Sequence, residues 1–247
     1  MKQSKDVKME IQSELIMICF LNNSIKRMML SKQRYLKTLP KKKVLCFGDS
    51  LTEGYIDEGR SFHPYSKKLT ELLERETSNI QVINAGLSGE PVWKEMYSRL
   101  PNLIKVHKPI DILVIQGGSN DILQFAELKS SLDLFTEFVK LLHLARDNNV
   151  QHICALTILE GYFDQEPNAA MNQIDSNNIR KEFNEKLKFF ASKNDDWFSL
   201  CNTAKLLPLY QLSDHDHKVL WDDHLHPSRL GYDRMGNIIY EHIVKFL

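Results

Sequence analysis

The chain lacks C-x-x-C pairs, long apolar runs, repeats and net charge, and each absence excludes something. Its four cysteines, Cys19, Cys46, Cys154 and Cys201, are scattered. Such spacing builds neither a zinc ribbon nor a disulfide framework. Three of the four lie inside strand-like apolar runs, as buried free thiols of a reducing compartment do. The apolar stretch LIMICFL (15–21) is far too short to span a bilayer. Glu10 and Glu14 precede it and no small-residue cleavage site follows, so it does not read as a secretory signal. The expected setting is cytoplasmic, without membrane insertion. The formal net charge is zero but unevenly laid out: residues 1–43 carry eleven Lys or Arg against three acids, leaving 21 basic and 29 acidic residues beyond them. Residues 1–42 are expected to be a poorly ordered basic extension. Nothing downstream supports a nucleic-acid partner for it.

What remains, residues 43–247, suffices for one sizeable domain. Short apolar runs alternate with segments of helical spacing. VLCFG (44–48), IQVIN (80–84), DILVIQ (111–116), HICALTI (152–158) and WFSLCN (197–202) read as strands. The segments between them place apolar residues on one face, as Phe62, Tyr65, Leu69, Leu72 and Leu73 do. The helix opening at Pro91 is expected to kink or end at Pro101. Continuous apolar strands suit a parallel sheet covered on both faces. The expectation is an α/β fold, a three-layer α/β/α sandwich on a five-stranded parallel sheet with the flavodoxin-like order 2-1-3-4-5.

In such a sheet the C-terminal ends of all strands share one edge, where ligands bind. Small and ionisable residues follow the strands there: Gly48-Asp49-Ser50, then NAGLSGE (84–90), then GGSND (117–121), then DDHLHP (222–227). A serine hydroxyl needs a base to take its proton, and imidazole, ordinarily near pKa 6.5, suits that work. A carboxylate orients the imidazole. Asp223 and His226 stand at D-x-x-H spacing, with Pro227 keeping the pair ahead of the last helix. Gly89 lets backbone approach a ligand, and Asn120 and the Ser50 N–H offer further donors to an oxyanion. Asp49 reads as a turn-former, and Asp121 as a cap for the segment after it. Tyr55, Trp93, Tyr162 and Phe163 fall on the same edge as pocket candidates.

Together, GDSL at 48–51, Gly89, GSND at 118–121 and the Asp223–His226 pair resemble the four blocks of the SGNH (GDSL-type) hydrolases, in order, across 43–247. The resemblance implies that fold and a serine esterase or lipase needing no metal or other cofactor. It implies Ser50 as nucleophile, His226 as base and Asp223 as its orienting acid. Ser50 N–H, Gly89 N–H and Asn120 would form the oxyanion hole. The chain lacks the G-x-S-x-G elbow of α/β-hydrolases. A small-molecule ester is the expected partner, with short acyl or acetyl esters ahead of lysophospholipids and thioesters. The rival is a silent binding module of the same fold. Asp222 is the competing acid. His215, His217 and His224 crowd near His226, but the expectation is a polar surface loop rather than a zinc site. His63, before Pro64, reads as packed or solvated.

Overall fold

In a computed structural model, the described residues are 25–31, 40–77, 79–128, 133–164 and 176–247. The chain divides into two units, Met1–Lys41 and Lys42–Leu247. In the first, residues 25–31 are helical and exposed. LIMICFL, Cys19 and most of the expected basic extension lie outside the described residues.

The second unit is built on five strands: β1 (Lys42–Gly48), β2 (Ile80–Gly86), β3 (Ile112–Ile115), β4 (His152–Leu156) and β5 (Phe198–Cys201). They pair in parallel, in the order β2-β1-β3-β4-β5. Nine α-helices are described in this unit: α1 (Ser50–Glu53), α2 (Tyr65–Glu76), α3 (Tyr97–His107), α4 (Ser119–Leu128), α5 (Leu134–Asp147), α6 (Ser176–Ala191), α7 (Thr203–Leu206), α8 (Asp214–Leu220) and α9 (Arg229–Ile243). Period-two alternation divides the strand side chains between two cores. Val44, Cys46, Ile112, Val114 and Cys154 meet Tyr65, Leu69 and Leu73 of α2 and Tyr232, Met235 and Ile239 of α9. Leu45, Phe47, Leu113, Ile115 and Ile153 meet Leu100 of α3, Phe138 and Leu141 of α5 and Phe183 and Leu187 of α6. Both faces of the central strands are therefore dry, which is why β3 and the Val44–Phe47 stretch of β1 are apolar throughout. Cys46, Cys154 and Cys201 are buried free thiols. Burial pushes the first two up to about 12. Among the described residues no helix is long and apolar enough to cross a membrane.

Two expectations change. The chain stays helical through Pro101 as far as His107, preceded by a π-helical turn at Val92–Met96. The proline removes one intrahelical bond, but buried Leu100 and Ile104 hold the helix across it. The residues around His215 and His217 form α8 instead of a loop. Ser213 caps it, accepting from Asp216 N at 3.1 Å. The stretch after GGSN is helical as well.

Candidate active site

β1 leaves the core at Gly48, where a side chain is impossible. A Cβ there would lie 2.3 Å from Thr52 Oγ1 and 2.6 Å from Gln116 O. The glycine lets α1 start directly against the sheet. Asp49 caps that helix, its carboxylate accepting Leu51 N at 3.0 Å. Ser50 becomes the first helical residue, at the strand's end but only 8% exposed. That explains why a strand should run into Gly-Asp-Ser: a turn, a cap and a hydroxyl delivered to the sheet edge.

The hydroxyl has a partner 176 residues away: Ser50 Oγ lies 3.0 Å from His226 Nε2. His226 Nδ1 lies 2.8 Å from Asp223 Oδ2. The other oxygen, Asp223 Oδ1, accepts the backbone N–H of Leu225 and of His226, both at 2.6 Å. A short pairing of Trp221 with Pro227 and a bond from Asp222 N to His226 O (2.9 Å) close the loop ahead of α9. Burial works to raise the Asp223 carboxyl, but the bonds from the His226 ring and backbone outweigh it, leaving it below its ordinary value. Asp222, the competing acid, turns elsewhere and accepts Asp57 N at 2.8 Å. Asp57 follows Tyr55, whose ring lies against His226 with centroids 4.5 Å apart.

Gly89 adopts φ +80°, and a Cβ there would meet nothing within 4 Å, so its backbone faces open space. With Trp93, Leu87 and Gln124 it lines a cavity of about 300 Å³. A larger groove of about 520 Å³, along Phe135, His143 and Phe190, shares no residue with this site. Asn120, in the first turn of α4, donates from Nδ2 to Glu90 O (3.2 Å) and approaches Asp49 Oδ2 (3.4 Å). Asp121 corrects its expectation. It caps an earlier segment, accepting Val92 N at 3.0 Å on both oxygens. The reason is that Asp121 itself sits inside the first turn of α4, whereas Val92 opens the π turn packed beside it. His63 pairs with Asp233 of α9 at 2.9 Å. Tyr162 is half exposed on the turn Tyr162–Asp164, and the Phe163 side chain lies outside the described residues. Among the described residues no three His, Cys, Asp or Glu side chains are grouped to hold a metal ion. Sequence reasoning missed Glu90 and Arg99, an ion pair behind Gly89 in which Glu90 is buried and Arg99 partly so; the signal was an acid directly after that glycine.

Asp49 is fully buried, and burial pushes its carboxyl up to about 7, against the pull of Leu51 N–H and His226. Starting from an ordinary value of 3.8, the folded chain holds this proton over a range where the unfolded chain has lost it. Stability therefore falls as pH rises from about 4 to about 7, by at most about 1.4 kcal/mol per pH unit, then levels off. Asp121, raised to about 6, adds a slope of the same sign. In Asp49→Asn the decline between pH 4 and 7 becomes shallower, as urea unfolding at stepped pH will read.

No curated protein sequence matches the chain. Solved structures do. An acetyl xylan esterase from Geobacillus stearothermophilus is 22% identical, with TM-score 0.62, over 83% of this chain and 95% of that one. A carbohydrate acetylesterase from Sinorhizobium meliloti is 19% identical, with TM-score 0.62, over 84% and 100%. An aryl esterase from M. smegmatis is 18% identical, with TM-score 0.62, over 83% and 100%. These likenesses show the three-layer fold. Residues 46–234 match the GDSL-like Lipase/Acylhydrolase family, and the chain therefore belongs to that family of ester hydrolases.

Proposed function

We propose that the protein is a serine esterase acting on small acyl or acetyl esters through an acyl-serine intermediate. The observation that carries this reading is the 3.0 Å approach of Ser50 Oγ to an imidazole whose far nitrogen is 2.8 Å from a carboxylate. Asp223, as acceptor, keeps the proton on Nδ1, which leaves the Nε2 lone pair facing the hydroxyl. As Ser50 Oγ attacks the ester carbonyl, Nε2 takes its proton and then delivers it to the departing alkoxide. Water enters by the same route: His226 takes its proton, the acyl group leaves Ser50, and the serine regains its hydrogen. The oxyanion of each tetrahedral stage would accept from Ser50 N–H, Gly89 N–H and Asn120 Nδ2. The longer Asn120 contact, 3.4 Å to Asp49, is the one such an oxyanion would replace.

The substrate reading rests on the modest cavity beside Gly89 and on the acetylesterases among the structural neighbours. The buried unpaired thiols suit a reducing, cytoplasmic setting. The test is rapid mixing with p-nitrophenyl acetate. The expected result is a burst of about one nitrophenolate per protein, with an acetyl mass on the peptide holding Ser50 after acid quench. A silent binding module gives neither a burst nor turnover.

A further inference from the structure

One group behind the site ties its parts together. Arg99 of α3 lays its guanidinium over the Phe47 ring, 4.5 Å from the centroid. Its Nε meets both carboxylate oxygens of Glu90, at 3.0 and 2.9 Å, and Nη2 also reaches Glu90 Oε2. Nη1 donates to Ala85 O at 2.8 Å, and Nη2 to Gly48 O at 3.1 Å. Gly48 ends β1, two residues before Ser50. Ala85 lies at the end of β2, where the chain sets out toward Gly89. Glu90 follows Gly89, and its carbonyl takes the Asn120 amide. Every segment that carries an expected oxyanion donor is thus tied, directly or through Glu90, to one planar cation.

From these contacts we infer that Arg99, through Glu90, is a positioning residue that sets the spacing of the Ser50, Gly89 and Asn120 donors. The inference rests on the serine-esterase reading above. A stability role alone explains less. An ion pair as covered as this one gains little over an apolar pair, and it needs no bonds to two strand-end carbonyls. Gly89 has open space where a side chain would be, so nothing packs against it there to fix its amide. The loop is held at its flanks, by Glu53 accepting Ser88 N at 2.9 Å and by Glu90 on Arg99. A lysine could keep the charge, but a single ammonium cannot span a carboxylate and two carbonyls.

The experiment uses the full chain with p-nitrophenyl acetate, comparing wild type, Arg99→Lys, Asn120→Ala, the double variant and Ser50→Ala. Arg99→Lys is expected to lower kcat by about 10- to 100-fold with KM within about twofold, as sub-ångström misplacement of donors does. In the Asn120→Ala background the same change costs less, because the hole is already incomplete. Glu90→Gln, which keeps the shape but removes the charge, serves where Arg99→Lys does not fold, with the same split expected. An unchanged kcat, a rise in KM alone, or an equal loss in both backgrounds overturns the positioning role. Turnover that survives in Ser50→Ala removes the esterase reading itself. A dead Ser50→Ala with an unaffected Arg99→Lys removes only this inference.

Discussion

Replacing Ser50 with alanine is expected to lower ester turnover by about five powers of ten and to end labelling by an organophosphonate. The size follows from Ser50 being the hydroxyl that meets the His226 imidazole, at 3.0 Å. Ser88 is on the neighbouring loop, but its Oγ donates to the Glu53 carboxylate at 2.5 Å and not to the His226 ring. Folding should barely register the change. The cap of α1 is the Asp49 carboxylate, so the Ser50 side chain holds no helix end. The thermal midpoint of the variant should stay near that of wild type while its rate collapses. Comparable turnover in the two proteins would remove Ser50 from the chemistry.

Asp223→Asn is expected to cost about 10⁴-fold in kcat, with the fold intact. The side-chain oxygen of asparagine can still accept the Leu225 and His226 amides, so the loop keeps its shape. Its NH₂ then faces Nδ1, which must turn acceptor. The ring proton moves to Nε2 and points at the serine oxygen it should be receiving from. Asp222→Asn alters the acceptor of Asp57 N and so works through the antiparallel pairing of Tyr55–Ile56 with Ser61–Phe62; a loss below about tenfold is expected. Proton NMR provides a second reading. The downfield resonance of a carboxylate-bound imidazole N–H should vanish in Asp223→Asn and persist in Asp222→Asn. If Asp222→Asn proved the more damaging, the acid would have to be reassigned.

The strands were legible as local patterns, and the shared edge they imply, with the block motifs on it, is what brought Ser50 and His226 together in the reading. Val44–Phe47 and Ile112–Ile115 read as strands buried on both faces, and the polar residues that follow them then gather at one edge. What escaped depends on distant partners. Asp121 caps a turn opened 29 residues earlier, a contact that no spacing announces. Pro101 read as a kink or an end because its neighbours' burial is a tertiary fact. α8 was hidden by its polarity, since none of its residues is buried and apolar periodicity had nothing to show. Arg99 carries the longest chain of consequences, yet in the sequence it is one basic residue on an amphipathic helix.

The three sealed sulfhydryls give the molecule a reporter of its own. Cys46 and Cys154 lie on interior strands, and Cys201 lies on β5 beneath α9. An alkylating reagent can consume them only when the sheet parts from its helices. The speed of that alkylation therefore counts excursions of the core. A variant that loses rate while these three sulfhydryls stay equally slow to react has lost alignment at the edge and kept its architecture.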